Sequence, residues 1–216
     1  MVITAQQLLP APLADKLKDK KSQVWNNTVQ FESNNYTKII APSGTGKTTL
    51  IHCLYGLRTD FTGKVLYNNA PTNIINKEAM AVVRQKQLSV IFQDLRLFAN
   101  LTALENILLK CTMHKPYTSE QQVVTMAAQL GITAAILKQP ISICSYGEQQ
   151  RIAIIRALVQ PFELLLMDEP FSHLDAHNTV LAAQLIKEQC NLRGAGFVLT
   201  DLDADTHFVY SKQLYL

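Results

Sequence analysis

The chain has 216 residues, 48% of them apolar and 17% charged, with a formal net charge of +3. That length suits one elaborated domain with a core on both faces of a sheet, and the mild, dispersed charge argues against a nucleic-acid groove. No stretch approaches the roughly 18 consecutive apolar residues of a membrane span, and no secretory leader is visible, which predicts a cytosolic chain. The oily composition, with mean hydropathy just above zero, predicts surface that another protein covers.

In chain order, the basic run Lys16-Leu-Lys-Asp-Lys-Lys21 reads as a solvated loop or strand edge. Asn34-Asn35 separates the runs Val24 to Phe31 and Tyr36 to Ile40, and Asn68-Asn69 follows the run Lys64 to Tyr67. Both patterns predict antiparallel hairpins near the N-terminus. Ile39-Ile40 ends a strand, and Leu50, Ile51 and Leu54 mark a helix starting near Lys47. The glycine-rich segment Ala41-Pro-Ser-Gly-Thr-Gly-Lys-Thr-Thr49 therefore sits at a strand-to-helix turn. From about Leu95 to Leu137 the pattern is helical, with Leu101, Leu104, Ile107 and Leu108, then Val123, Val124, Ala127 and Leu130 before Gly131. Ile152 to Val159 reads as a helix, Leu164 to Met167 as a buried strand, Val180 to Ile186 as a helix and Phe197 to Thr200 as a last parallel strand.

Cys53, Cys111, Cys144 and Cys190 are too scattered for a disulfide framework or metal knuckle, and are expected to be reduced and mostly buried. His173 and His177 could meet on one helix face, but no third metal ligand is evident.

The chemistry starts at the glycine-rich turn. Glycines at 44 and 46 let the backbone N–H groups of Gly44 to Thr48 approach phosphates closely, and the following helix offers its positive N-terminus. Ser43, Gly44, Thr45, Gly46, Lys47, Thr48 and Thr49 are the expected nucleotide-binding residues, with Lys47 on the β- and γ-phosphates and the Thr48 hydroxyl on Mg²⁺. Ala41 stands where this pattern opens on glycine. In a left-handed conformation alanine would cost roughly 1–2 kcal/mol. Asp168 ends an apolar strand, where a carboxylate can orient Mg²⁺, and Glu169 beside it can polarise the attacking water as general base.

With Ser145-Tyr-Gly-Glu-Gln-Gln-Arg151 and Leu164-Leu-Leu-Met-Asp168-Glu169 in that order downstream, the chain resembles a nucleotide-binding subunit of an ABC transporter over essentially its full length. The resemblance implies an α/β fold, a P-loop NTPase of ABC type. Its core would be a mainly parallel sheet, with an N-terminal antiparallel β subdomain and an inserted helical subdomain at about 95–150, in a single domain of residues 1–216. Ser145, Gly147 and Glu148 resemble the signature whose helix N-terminus meets the ATP of a second subunit. Gln93, within Val90-Ile-Phe-Gln-Asp94, resembles the glutamine that reads metal and nucleophile. Asp175, in Ser172-His-Leu-Asp175, resembles the loop crossing the dimer interface.

The family pattern therefore implies ATP and Mg²⁺ as ligands, with Glu169, Gln93 and Lys47 catalytic and Thr48, Gln93 and Asp168 around the metal. It also implies a head-to-tail dimer, most simply of identical chains, and an integral membrane permease that docks near Asp94-Leu-Arg-Leu-Phe98. Such a subunit lies at the inner face of the cell membrane. Phe92 to Phe98, Leu101 to Asn106 and Gly147 to Arg151 look most like the cell-division, lipoprotein-releasing and macrolide-export group.

Tyr146 replaces the signature's first glycine and Cys144 its leading leucine, so a bulky ring stands where backbone normally closes on phosphate. Asp201 follows Thr200 where the family carries a switch histidine, and His207 is too far along to substitute. Two unit charges about 4 Å apart repel by roughly 4 kcal/mol at an effective dielectric of about 20, so a free Asp201 carboxylate beside the γ-phosphate would slow hydrolysis. Trp25 lies too close to the loop to be the expected adenine-stacking ring and reads as a core residue. The readings compared are thus an ATP-hydrolysing transporter subunit, a degenerate ATP-binding regulatory subunit, and a soluble ATPase of DNA repair or translation. The last would need a second cassette, a coiled coil or a basic groove, none of which is visible.

Overall fold

The computed structural model describes residues 1–17, 21–71, 77–112 and 118–216. The chain runs β1 (Val2–Pro10), a 3₁₀ turn (Ala11–Leu13), α1 (Ala14–Leu17), β2 (Thr28–Glu32), β3 (Tyr36–Ile40), α2 (Lys47–Leu54), β4 (Phe61–Tyr67), β5 (Ala70–Pro71), α3 (Lys77–Lys86) and β6 (Leu88–Ile91). It continues through α4 (Ala103–Thr112), α5 (Glu120–Gln129), α6 (Ala134–Leu137), a second 3₁₀ turn (Ile141–Ile143), α7 (Tyr146–Leu158), β7 (Leu164–Asp168), α8 (Ala176–Arg193), β8 (Gly196–Asp201) and β9 (Lys212–Tyr215). Among the described residues no helix is long and apolar enough to cross a membrane.

Two sheets organise these elements. A parallel sheet has the order β6-β7-β8-β3-β9, and an antiparallel sheet has the order β2-β1-β4-β5. The parallel strands are buried on both faces. Leu164, Leu166, Val198 and Ile39 point into a core shared with α2 and the antiparallel sheet, whereas Leu165, Met167, Phe197 and Leu199 point into a core shared with α4, α5, α7 and α8. That explains why Leu164 to Met167 is an unbroken apolar run rather than an alternating one.

Pairing corrects two expectations. The hairpin of Val24 to Phe31 with Tyr36 to Ile40 does not form: β2 pairs with β1, whereas β3 pairs in parallel with β8 and β9. The chain crosses between sheets at Ser33–Asn35, and Phe197 donates its N–H to the Asn35 carbonyl at 3.1 Å. A Cβ on Gly196 would lie 2.5 Å from the Glu32 and Asn35 carbonyl oxygens, so this crossing needs glycine there. Nor is β8 the last strand, because β9 follows it along β3. The hairpin at Asn68-Asn69 does form, with Tyr67 opposite Ala70 and both asparagines at positive φ, as a two-residue turn between strands requires.

The expected helical insertion holds α4, α5 and α6, and residues 113–117 within it lie outside the described residues. The helix α7 begins inside the insertion and runs on to Leu158. In the basic run, residues 18–20 likewise lie outside the described residues. All four cysteines are buried and free, and burial pushes the Cys53 and Cys190 thiols up to about 12.

Phe197 anchors the second core: fully buried, it stacks on Tyr36 at 4.2 Å between ring centroids and meets Phe208 edge-on at 4.7 Å. Phe197→Ala should therefore lower the unfolding free energy by about 3–5 kcal/mol in urea titrations. A loss below about 1 kcal/mol would show that this aromatic cluster is not a rigid support of the sheet.

Candidate functional site

The carboxyl edge of the parallel sheet gathers the predicted residues. Ala41 follows β3 directly and donates its N–H to the Asp201 carbonyl at 3.0 Å, which fixes the loop's first residue to the end of β8. Ala41 is not among the positive-φ residues, so its replacement of glycine carries no left-handed strain. Pro42, Ser43 and Gly44 form the exposed lip of the loop, and the Thr45 hydroxyl donates back to the Pro42 carbonyl at 2.7 Å.

Gly44 and Gly46 take φ of +78° and +104°. Among the described residues no atom lies within 4 Å of a Cβ built on Gly44, whereas one on Gly46 would come within 2.5 Å of Leu13 and 3.1 Å of Trp25. Gly46 is thus required by the packing beneath the loop. Trp25 is a core residue as expected, yet it also serves the loop, because its indole N–H donates to the Thr45 carbonyl at 3.2 Å.

Lys47 and Thr48 open α2. The Lys47 ammonium donates to the Ala41 carbonyl at 2.8 Å and lies 3.2 Å from the Glu169 carboxylate. The Thr48 hydroxyl donates to the Gln93 side-chain oxygen at 3.3 Å, and the Gln93 amide donates to Glu169 at 3.3 Å. Asp168 accepts from the Thr200 hydroxyl at 2.9 Å and lies beside the Thr48 hydroxyl. Burial raises the Asp168 carboxyl above its ordinary value, while these two hydroxyls pull it back. Lys47, Glu169, Gln93 and Thr48 therefore form a polar ring closed by the Lys47–Thr48 backbone, with Asp168 beside Thr48.

Glu169 sits at φ +46° and donates its N–H to the Thr200 carbonyl at 3.0 Å. A left-handed glutamate costs roughly 1–2 kcal/mol. Pro170 follows it and closes the right-handed helical alternative, so the strained conformation turns the carboxylate off the strand toward Lys47.

The oxygen set of Thr48, Gln93 and Asp168 suits Mg²⁺, a hard cation usually held by one or two carboxylates together with phosphate oxygens. Among the described residues no group of three or more His, Cys, Asp or Glu gathers into an all-protein cage. The exposed Gly44 and the helix N-terminus suit phosphate.

The signature-like segment is brought near but stands apart from the ring. Ser145 caps α7, accepting from the Glu148 N–H at 3.3 Å, and the Glu148 carboxylate returns to the Ser145 N–H at 2.7 Å. Gly147 packs on the His173 carbonyl, with room for a Cβ only at 3.3 Å. Tyr146 is 50% exposed and packs edge-on against His173 at 4.2 Å. These two rings face a cleft of about 310 Å³ together with Thr48, Gln93 and Asp168. His173 precedes α8, so it shares no helix face with His177. Asp175 caps α8 through the Asn178 N–H at 2.8 Å, which holds its carboxyl below the usual range.

Sequence reasoning missed two supports. Arg156, on α7, donates to the carbonyls of Leu95 and Arg96, consecutive non-glycine residues at φ +55° and +49°. Burial lowers the Arg156 guanidinium to about 10. Arg96 lies over the Phe92 ring at 4.0 Å and reaches His52, one turn beyond Thr48 on α2. Lys38 is the second. Fully buried in β3, it pairs with Asp201 at 3.2 Å and with Asp205. A lysine inside the apolar run Tyr36 to Ile40 was the available signal.

A family model described as ABC transporter matches residues 24–172. The chain belongs to that family. Among solved structures, this ABC cassette resembles the dimeric structure of MJ0796, a bacterial ABC transporter cassette, with a TM-score of 0.79 and 23% identity over 94% of this chain and 88% of that one. A post-hydrolysis state of MJ0796 bound to ADP and Pi matches with the same figures. A Pyrococcus furiosus protein described as an ABC transporter ATP-binding protein matches with a TM-score of 0.78 and 15% identity, over 100% of this chain and 98% of that one. At these identities the likeness is one of fold.

Because Arg156 holds two strained residues, Arg156→Met should speed amide hydrogen exchange across 92–98 while α8 keeps its protection. Unchanged exchange in that segment would mean that the strain is held by other contacts.

Proposed function

We propose that this chain is an ATP-binding and ATP-hydrolysing subunit that drives a membrane-spanning partner through ATP-dependent, head-to-tail pairing with a second copy. The observation that carries the reading is the ring of Lys47, Thr48, Gln93 and Glu169, with Asp168 beside it, beneath the glycine loop. In it Lys47 is placed to leave Glu169 for the terminal phosphates. The freed Glu169 carboxylate, still within reach of the Gln93 amide, can then accept a proton from water. Mg²⁺ held at Thr48, Gln93 and Asp168 would neutralise phosphate charge.

Ser43, Gly44, Thr45, Gly46 and Thr49 belong to the same cradle. Ser145, Gly147, Glu148 and Asp175 lie at α-helix starts that a second copy would cover. The objection from Asp201 weakens, because its carboxylate is already paired with Lys38. Phe98, 59% exposed beside the segment held by Arg156, supports docking of a permease at the inner membrane face. The segments Phe92 to Phe98 and Leu101 to Asn106 favour the cell-division, lipoprotein-releasing and macrolide-export group.

Trp25, the chain's one tryptophan, touches the loop and makes fluorescence a direct reporter. Mg²⁺-ATP should change its emission in the wild type and leave Lys47→Ala unchanged; an equal response from both would remove Lys47 from the site. Glu169→Gln should keep or tighten ATP binding, since Lys47 loses its carboxylate partner, and lower turnover by about 10²–10⁴-fold. Turnover equal to wild type in that variant would refute the assignment of Glu169 as base.

A further inference from the structure

Lys38 has a fully buried side chain on β3, the strand that leads into the phosphate loop. A buried ammonium is no economical way to stabilise a sheet, since a well-packed apolar side chain commonly does as well or better. Its position suggests another use. Its partner Asp201 ends β8 and Asp205 lies on the segment that follows, and the end of this strand is tied to both walls of the nucleotide site. The Asp201 carbonyl holds the Ala41 N–H, and the neighbouring Thr200 carbonyl holds the Glu169 N–H, each at 3.0 Å. Position 201 is thus tied by backbone to the loop's first residue and adjoins the residue tied to Glu169, so a carboxylate released there has the phosphate loop within reach.

The two carboxylates depend on Lys38 unequally. Asp205 also accepts from the Tyr210 hydroxyl at 2.7 Å and from the His207 N–H at 2.9 Å, and its side chain is 13% exposed. Among the described residues Asp201 has only the adjacent Leu202 N–H, at 2.8 Å, besides Lys38, and its side chain is 30% exposed. Without the ammonium, Asp205 keeps two neutral donors, whereas Asp201 is left as a half-solvated charge.

We infer that Lys38 is a specificity-determining positioning residue for nucleoside triphosphates: from within β3 it pairs with Asp201 and draws its carboxylate off the phosphate loop, so that a terminal phosphate is admitted. This rests on the nucleotide-binding reading above. Lys38 touches no ligand itself, and its effect passes through Asp201. The effect is specific to the third phosphate, because a diphosphate lacks the group that would meet Asp201.

The test compares Mg²⁺-ATP and Mg²⁺-ADP affinities by titration of the full chain. Lys38→Met/Asp205→Asn leaves Asp201, which can be solvated, as the cluster's one charge, so no carboxylate is trapped in the core. The double variant, whose cluster keeps the same net charge, should lose roughly tenfold in ATP affinity and clearly less for ADP, as expected for one carboxylate released toward the loop across a partly solvated gap. Adding Asp201→Asn should return the ATP-to-ADP ratio to that of the wild type. A merely structural role for Lys38 would weaken both nucleotides alike and gain nothing from Asp201→Asn. Either that pattern or an unchanged ratio in the double variant overturns the proposal, while a wild type that binds neither nucleotide overturns the reading beneath it.

Discussion

The register of β7, β8 and β3 at their carboxyl ends is the constraint on which the site depends. Ladder bonds carry Asp168 opposite Thr200 and Ile40 opposite Asp201, and two further backbone bonds carry Ala41 and Glu169 past the last paired residues. The phosphate loop, the acidic pair and the loop after β8 are therefore neighbours for backbone reasons, before any side chain acts. A one-residue slip would send Asp168 to the opposite face and separate Lys47 from Glu169.

Strain collects where this frame is stiff enough to hold it. Glu169 and the pair Leu95–Arg96 are non-glycine residues in left-handed backbone, each at roughly 1–2 kcal/mol. Glu169 is fixed by its bond to Thr200 and by Lys47. Leu95 and Arg96 are fixed by Arg156, which belongs to the same helix as Ser145 and Tyr146. One rigid helix thus touches both the segment after Gln93 and the surface proposed to meet a second copy. Two hydrogen bonds from Arg156 thus tie α7 to Leu95 and Arg96, two and three residues after Gln93.

Much of this was legible in the sequence, and the reasons are local. A glycine loop between a strand and a helix, the signature-like run Ser145 to Arg151, and a buried strand ending in Asp168 each declare themselves within a few residues. What escaped was non-local. The strand β1 shows no clear alternation over Val2–Pro10, and the apolar run of β3 is equally compatible with a hairpin or a buried parallel strand. Only the close approach of Gly196 to the Ser33–Asn35 crossing decides it. The pairing of Lys38 with Asp201 joins residues far apart in the chain, so Asp201 read alone looks like an unopposed charge. Trp25 was correctly placed in the core, but its bond to the phosphate loop depends on tertiary packing.

Pairing of the carboxylates ties these observations together. Around the loop, Lys47 pairs with Glu169, Lys38 with both Asp201 and Asp205, and Asp168 with the Thr200 hydroxyl, so each of these four carboxylates has a partner on the protein. The most direct measurement is a calorimetric titration of the purified chain with ATP, with and without Mg²⁺. Saturable binding that strengthens when Mg²⁺ is present is the result this arrangement predicts. Absence of binding at millimolar ATP, or binding indifferent to Mg²⁺, would contradict it.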